Sequence, residues 1–201
     1  MPDILQLDPE QLTADEFCDR LFAFLETAGR SNYDEAVTQL QHALQCAELA
    51  EAAGFGPSAQ VAALLHDLGH LVLGEDGESA EEDQRHEIIG ARLVTRWFGA
   101  EAGGPVALHV AAKRYLVATD PAYFDGLSPA SVNSLALQGG PMTPDEVAKF
   151  ERLPQHEVAV ELRRWDDLAK DVDAEVPGLE HWRPAITALL TSSGPGHPTE
   201  R

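Results

Sequence analysis

The amino-acid sequence predicts an all-α fold in a single domain. Residues that start and end helices bracket apolar segments with helical spacing along almost the whole chain, and no segment alternates between apolar and polar residues as a half-buried strand does. The 201 residues are enough for one domain with a sizeable buried core. Because no internal repeat or linker divides the chain, we expect one helical domain over residues 1–195 and a flexible tail over residues 196–201.

The first two predicted helices are marked by their ends. Thr13-Ala14-Asp15-Glu16 has the form of a capping box, in which the threonine hydroxyl and the glutamate carboxylate each accept a hydrogen bond from the other residue's backbone N–H. The first helix therefore begins there and ends at about Gly29. The second is predicted to begin near Asp34 and to end at Gly54, because glycine favours the left-handed conformation that follows many helices.

Three further helices follow proline, glycine or acidic start signals, and each carries polar residues that could act in a site. They are predicted from Pro57 or Ser58 to the pair His66-Asp67, from about Asp83 with His86, and from Gly104-Pro105 with His109 and Lys113. The acidic segment 74–82 between the first two of these helices is predicted to be a mobile loop.

The last third of the chain has the same helical character. Thr143-Pro144-Asp145-Glu146 is a second capping box, and Pro154 precedes a helix that carries Arg163 and Asp166. The segment 179–192 is predicted to close the bundle before a Gly-Pro tail.

Charge and composition limit the possible partners. The formal net charge is −20, from 34 acidic and 14 basic residues, and the acidic residues are spread along the chain. This balance argues against nucleic acid or an anionic membrane as a partner, because both would be repelled. An anionic small molecule would need a local basic pocket.

Cysteine content and the N-terminus point to a reducing compartment. The two cysteines, Cys18 and Cys46, form no Cys-x-x-Cys motif, which argues against a disulfide scaffold or a zinc knuckle. No apolar run approaches the length of a membrane span, and Met1-Pro2-Asp3 lacks the basic and apolar parts of a signal peptide. We therefore expect a cytoplasmic protein, and we expect it to be a monomer or a weak homo-oligomer.

The pair His66-Asp67 indicates a site for two metal ions. It lies at the end of an apolar helix, and adjacent helical residues point about 100° apart. The imidazole of His66 can therefore bind one ion, while the two carboxylate oxygens of Asp67 can bridge that ion to a second.

The remaining ligands are predicted from other helices. They are His42, His86, His109 and Asp166. A single histidine such as His42 is more often a hydrogen-bonded core residue than a ligand, so the ordered set carries the argument rather than any one member. Nitrogen and oxygen ligands without cysteine favour iron or manganese over structural zinc.

Three basic residues share helix faces with these candidate ligands. Lys113 lies one turn after His109, His70 lies one turn after His66, and Arg163 lies three residues before Asp166. Lys113 or Arg163 by itself could be an ordinary salt-bridge partner. Together the three residues predict a place for a phosphoryl-type oxyanion beside the metals.

The ordered residues lie in strings that resemble a known family. The strings are QLQHALQCA, AALLHDLGH, HEIIGA, HVAAKRYL, Asp120-Pro121-x-Tyr123, LQGGPM and RRWDDLAK. They resemble the HD-domain mixed-valent diiron oxygenases that cleave phosphonates, of the PhnZ and TmpB type, over roughly residues 32–172. The resemblance implies a single HD-domain helical bundle. The HD pair alone is shared with hydrolases, and the LQGGPM and RRWDDLAK strings favour the oxygenases.

The resemblance also implies roles for individual residues. One iron would be held by His42, His66, Asp67 and Asp166, and the other by Asp67, His86 and His109. The phosphonate would contact His70, Lys113, Ser131, Ser134, Gln138 and Arg163. Ser131 and Ser134 are one turn apart, so both hydroxyls can face one anion, and helix capping near Ser128 is the alternative. Gly139-Gly140-Pro141 would form a tight turn that presents Gln138.

The segment before the first ligand departs from the family pattern. The family pairs a tyrosine with a glutamate three residues later; here Glu35 matches, but the tyrosine position holds Asn32 and the nearest tyrosine is Tyr33. The resemblance implies that Asn32, Tyr33 and Glu35 contact the nitrogen end of the substrate, and that Glu35, His70 and Lys113 act in catalysis.

The implied reaction is oxygen-dependent cleavage of a carbon–phosphorus bond. A 1-hydroxy-2-aminoethylphosphonate would yield glycine and phosphate, and its trimethylammonio analogue would yield glycine betaine and phosphate, with an Fe(II)/Fe(III) pair as cofactor and O2 as cosubstrate. The alternative is a metal-dependent phosphohydrolase of the HD class, in which the two metals activate water. A non-catalytic metal-binding module is disfavoured because all six ligand positions are filled.

Overall fold

Ten α-helices dominate the residues that the computed structural model describes, which are 4–32, 37–74 and 86–192. The helices are α1 (Ala14–Ala28), α2 (Gln39–Ala52), α3 (Pro57–Leu65), α4 (Leu68–Leu73), α5 (His86–Phe98), α6 (Ala100–Thr119), α7 (Pro129–Leu137), α8 (Pro144–Phe150), α9 (His156–Leu168) and α10 (Arg183–Ser192). Over these ranges the β-structure is one isolated bridge between Asn32 and Thr38. The predicted all-α fold is confirmed. The boundary between domain and tail at 195 lies outside the described residues.

Threonine caps begin three of the helices. Both predicted capping boxes are present, at Thr13 for α1 and at Thr143 for α8. A third, not predicted, is at Thr38, whose hydroxyl accepts from the N–H of Gln41 while the Gln41 side chain accepts from the N–H of Thr38. The described part of the second helix therefore begins at Gln39. Its predicted start near Asp34 falls outside the described residues, as do Asp83 and most of the acidic loop.

The predicted start of the fifth helix was wrong. The helix α6 begins at Ala100 after Gly99, four residues before Gly104, and it contains Pro105. Gly103 is needed for close packing of α6 on α5, because a Cβ there would lie 1.9 Å from Oγ1 of Thr95. Gly104 and Pro105, which indicated a helix start, therefore lie inside the helix, and Gly104 packs against the Gln155 side chain.

The helix α3 is the centre of the molecule. Its buried residues, Ala59 and 61–65, are all apolar, as expected of a helix surrounded by protein. It contacts α2, α5, α6, α9 and α10. The main core, which includes Phe17, Leu64 and Trp97, packs α1, α3, α5 and α10 together. Five helices therefore pack around α3, which ends at Leu65 directly before the His66-Asp67 pair. No helix in the described ranges combines the length and apolar character that crossing a membrane requires.

Candidate metal centre and oxyanion pocket

All six predicted ligands are buried and come from five separate segments. The helices α2, α5, α6 and α9 carry His42, His86, His109 and Asp166, and the turn between α3 and α4 carries His66 and Asp67. Their exposed fractions lie between 0% for His42 and 9% for Asp67. We call these six residues the metal centre.

The first half of the metal centre is formed around His42 and His66. Their Nε2 atoms are 3.2 Å apart. Oδ2 of Asp67 lies 3.3 Å from Nε2 of His66 and 3.7 Å from that of His42, and Oδ1 of Asp166 lies 3.5 Å from His42 Nε2. Donor atoms at these separations can share one ion with bonds of about 2.0–2.2 Å.

The second half is formed around His86 and His109. Their Nε2 atoms are also 3.2 Å apart. The other carboxylate oxygen of Asp67, Oδ1, lies 4.0 Å from Nε2 of His86 and 3.9 Å from that of His109. Asp67 therefore directs one oxygen toward each histidine pair, which is the geometry of a carboxylate between two ions.

Backbone carbonyls set the tautomers of three of the histidines. Nδ1 of His42 lies 2.9 Å from the carbonyl of Ala169, and Nδ1 of His66 and His109 lie 2.8 and 2.7 Å from carbonyls three residues earlier in the chain. A carbonyl can only accept, so each Nδ1 carries a hydrogen, and in the neutral form of each ring Nε2 is then the atom that can bind a metal. These Nε2 atoms are those that face the candidate ions.

His86 is brought to the centre by a close approach of two helices. Gly69 of α4 lies against the His86 backbone, where a Cβ would be 2.0 Å from the His86 carbonyl oxygen. His70 stacks on the His86 ring with a centroid distance of 3.9 Å. Gly69 and His70, which follow the HD pair in the sequence, thus position the side chain of His86.

Burial and the neighbouring charges shift the pKa values of the groups in the metal centre. Burial by itself would lower the pKa of His66, but the Asp67 and Asp166 carboxylates outweigh it and raise the pKa to about 9. Burial, with His86 and His66 nearby, lowers the pKa of His109 to about 3. Burial opposes the charged form of Asp67 too, yet the surrounding histidines hold its pKa well below the usual range. Asp67 is therefore an anion, as a bridging ligand must be.

The sequence analysis missed Cys46 at the edge of this centre. Its Sγ lies 3.8 Å from Nε2 of His42 and groups with His42 and His66 as a possible metal-binding set. Burial raises the pKa of the Cys46 thiol well above its usual value, so the metal-free site holds a thiol. Spacing could have indicated this contact, because Cys46 is one turn after His42 on α2.

Two of the three predicted basic residues, Lys113 and Arg163, meet two serines beside the metal centre, whereas His70 stacks on His86. Nζ of Lys113 donates to Oγ of Ser134 at 2.6 Å, and the Ser134 hydroxyl donates to the carbonyl of Ser131 at 3.2 Å. From the other side, Nη2 of Arg163 donates to Oγ of Ser131 at 3.1 Å. We call these four residues the oxyanion pocket. Arg163 also donates from Nη1 to Oδ2 of Asp166 at 2.6 Å, which joins the pocket to the metal centre.

Ser128 caps α7, as the alternative interpretation of this region proposed. Its hydroxyl accepts from the N–H of Ser131 at 3.2 Å and donates to the Ser131 hydroxyl at the same distance. Capping and pocket are therefore compatible, because the Ser128 hydroxyl makes the cap and leaves Ser131 to contact Arg163.

Gln138 ends α7 next to the predicted glycine turn. Gly139 and Gly140 both have positive φ, 97° and 71°, which favours glycine. Gln138 lines a cavity of about 460 Å³ together with Glu87 and Arg114. Its buried Oε1 accepts no hydrogen bond from the described residues, so a donor on a bound molecule could satisfy it.

The predicted nitrogen-end contacts stay predictions. Asn32 is exposed and pairs with Thr38 ahead of α2, while Tyr33 and Glu35 lie outside the described residues.

Comparison with known proteins gives a consistent family assignment. The HD domain family matches residues 40–169, a range that contains the whole metal centre. The chain is 44% identical over 194 residues to a hydroxymethylphosphonate dioxygenase of Gimesia maris, covering 95% of each chain. It is 38% identical over 192 residues to a glycine-betaine-forming 1-hydroxy-2-(trimethylamino)ethylphosphonate dioxygenase of Leisingera caerulea, covering 94% of this chain and 95% of the relative. The chain therefore belongs to the HD domain family, and within that family to the PhnZ-type oxygenases.

Proposed function

We propose that this protein is a dioxygenase that cleaves the carbon–phosphorus bond of a 1-hydroxyphosphonate and that its metal centre holds a ferrous and a ferric ion. The observation that carries the proposal is the position of Asp67, with one carboxylate oxygen toward each histidine pair, beside a buried basic pocket. The names of the two dioxygenase relatives support the oxygenase over the phosphohydrolase. When bound, the iron pair would supply a Lewis acid that orients the substrate, and it would supply the redox activity that the reaction with O2 requires.

The oxyanion pocket supplies the charge that a phosphonate requires. Lys113 and Arg163 are only 3% and 5% exposed, so their attraction for an anion is weakly screened by water. Ser131 and Ser134 are already hydrogen-bonded to these two cations and can turn their hydroxyls to the same anion. The four side chains therefore bind and orient the phosphonate, and the protein's overall negative charge does not prevent it.

Two kinds of substrate have support. The name of the relative from Leisingera caerulea favours a substrate with a nitrogen end. A 1-hydroxy-2-aminoethylphosphonate would give glycine, and its trimethylammonio analogue would give glycine betaine. The relative from Gimesia maris favours hydroxymethylphosphonate, which gives formate. In each case one O2 is consumed, the carbon product gains one oxygen atom, and phosphate gains the other.

The test is turnover of three substrates by anaerobically prepared, iron-loaded protein. We expect O2 uptake and phosphate release in equal amounts with hydroxymethylphosphonate, 1-hydroxy-2-aminoethylphosphonate or its trimethylammonio analogue, and the ranking of kcat/KM identifies the substrate. Electron paramagnetic resonance should detect a coupled ferrous–ferric pair. Phosphate release from nucleotides without O2, together with no O2 uptake on any hydroxyphosphonate, would show that the phosphohydrolase alternative is right.

We further propose that residues 32–35 select the nitrogen end of the substrate, because this is where the chain departs from its family. Asn32→Tyr restores the family's tyrosine and crowds that end. We expect it to lower kcat/KM for the trimethylammonio substrate several-fold more than for the primary amine. An unchanged ratio would remove this segment from the specificity argument.

A further inference from the structure

Arg163 makes more contacts than an anion-binding arginine needs. Nε donates to the hydroxyl of Tyr123 at 3.1 Å and to Oδ2 of Asp167 at 3.2 Å, and Nη2 donates to Oδ1 of Asp167 as well as to Ser131. Asp167 thus binds the Nε–Nη2 edge of the guanidinium with both oxygens, which is the most directional geometry an arginine can form with a carboxylate. Asp166 takes Nη1 on the other side.

Two carboxylates therefore share one guanidinium, and only one of them belongs to the metal centre. Oδ1 of Asp166 lies 3.5 Å from Nε2 of His42, whereas Asp167 lies one residue further along α9 and contacts Arg163 instead. Without Asp167, Asp166 would be the remaining carboxylate bonded to Arg163. The guanidinium could then turn toward Asp166 and lose the orientation that brings Nη2 to Ser131.

Tyr123 holds this arrangement from a different part of the chain. Its hydroxyl donates to Oδ2 of Asp167 and accepts from Nε of Arg163, so it contacts both members of the pair. It comes from the turn after α6, just before the 3-10 helix Phe124–Gly126, whereas the pair lies on α9. Burial is the main cause that raises the pKa of Tyr123, so the phenol keeps the proton that it donates.

We propose that Asp167 and Tyr123 are positioning residues that fix the Arg163 guanidinium for the phosphonate group of the substrate and keep it from pairing with Asp166 alone. This inference rests on the proposed function for the identity of the anion. Neither residue belongs to the predicted site, and neither is placed to contact the metals, since their described contacts are with Arg163 and with each other.

The test is equilibrium binding of methylphosphonate to anaerobic, iron-loaded protein, measured by titration calorimetry. Methylphosphonate has the phosphonate group but no 1-hydroxyl, so it reports anion binding without turnover. We expect Asp167→Asn to raise its dissociation constant about tenfold and Tyr123→Phe about threefold, with iron content unchanged. With the true substrate, KM should rise while kcat changes less. Asp167→Glu, which keeps the charge, should recover part of the affinity.

Matched controls form ion pairs or hydrogen bonds outside the metal centre and the oxyanion pocket. Asp19→Asn removes another aspartate that pairs with an arginine, Arg183, at 2.8 Å, and Tyr115→Phe removes another tyrosine that donates to a carboxylate, Glu151. Both should leave methylphosphonate binding unchanged. If Asp167→Asn does not fold, Tyr123→Phe decides the question.

Three results would overturn the proposal. They are wild-type affinity in both variants, iron loss that parallels the loss of affinity, and wild-type protein that binds methylphosphonate no better than Arg163→Ala. If the wild-type protein consumes no O2 but the variants bind methylphosphonate more weakly, this proposal stands and the proposed function is rejected. The two proposals can therefore fail separately.

Discussion

Asp67 is the residue on which both halves of the metal centre depend. It is 9% exposed, its two oxygens face different histidine pairs, and the nearby histidines hold its pKa well below the usual range. By contrast, His86 belongs to the second half alone. The two residues should therefore differ in what their loss removes.

We predict that Asp67→Ala loses both metals and that His86→Ala retains about one metal ion per chain, because only the aspartate reaches both positions. Metal content by mass spectrometry after desalting measures this, and helix content by circular dichroism should be kept in both variants. His156→Ala is the matched control, since that histidine bonds the carbonyl of Leu153 outside the centre. Two retained metals in Asp67→Ala would refute the bridging role.

Metal binding should depend on pH through His66. Its pKa is raised to about 9, so the protonated form stabilises the metal-free fold at pH values below the ordinary 6.5, and this contribution is lost as pH rises through about 9. A metal requires the neutral ring, so proton and metal compete below about pH 9.

The expected result is that Mn²⁺ affinity rises about tenfold per pH unit between about pH 6.5 and 8.5. Calorimetry in buffers of different ionisation enthalpy should count about one proton released at neutral pH, and none from His109, whose pKa is lowered to about 3. A pH-independent affinity would mean that His66 is neutral before the metal arrives.

At the scale of secondary structure, the approach of α4 to α5 determines where His86 lies. Replacing a helical glycine with alanine ordinarily stabilises a helix by about 0.5–1 kcal/mol. At Gly69 the new Cβ would meet the His86 backbone, which cannot move without moving a ligand.

We therefore predict the opposite sign for Gly69→Ala: a loss of about 1–3 kcal/mol in the free energy of unfolding, with lower occupancy of the second metal. Chemical denaturation and metal analysis measure the two effects. Gly104→Ala is the control, because its Cβ would meet only the Gln155 side chain, which can move aside. Equal behaviour of the two variants would show that the helix contact is not rigid.

Across the whole molecule, the metal centre joins α2, α5, α6, α9 and the turn between α3 and α4, which are distant in the chain. Two ions there would bind the folded state and not the unfolded chain, so they would stabilise the entire fold.

Chelation should accordingly lower the unfolding temperature of the whole domain by roughly 10–20 °C, which corresponds to two metals that are each about 100-fold above their dissociation constants. Calorimetry before and after chelator treatment measures the shift. Asp67→Ala should show no shift in unfolding temperature, since it has no metal to lose. A shift of equal size in that variant would mean that the chelator does not act by removing metal from this centre.

Local sequence was sufficient for much of the fold. The capping boxes at Thr13 and Thr143 and the breaks at Gly54 and Pro57 were predicted correctly, because helix ends depend on residues within one turn of each other. The predicted start of α6 was wrong because Gly104 and Pro105 lie inside a helix that begins after Gly99, and Gly104 packs against Gln155, a contact that no local pattern reveals.

The sequence by itself determined most of the helices and supplied an ordered set of ligand-type residues. The resemblance implied which of these residues act together. Only the tertiary structure decided that the two oxygens of Asp67 face different histidine pairs, that Cys46 borders the first pair, and that Tyr123 and Asp167 hold Arg163. The physical reason is range. Helical periodicity relates residues three or four apart, whereas Tyr123 and Asp167 are 44 residues apart and meet because packed helices bring the turn after α6 onto α9.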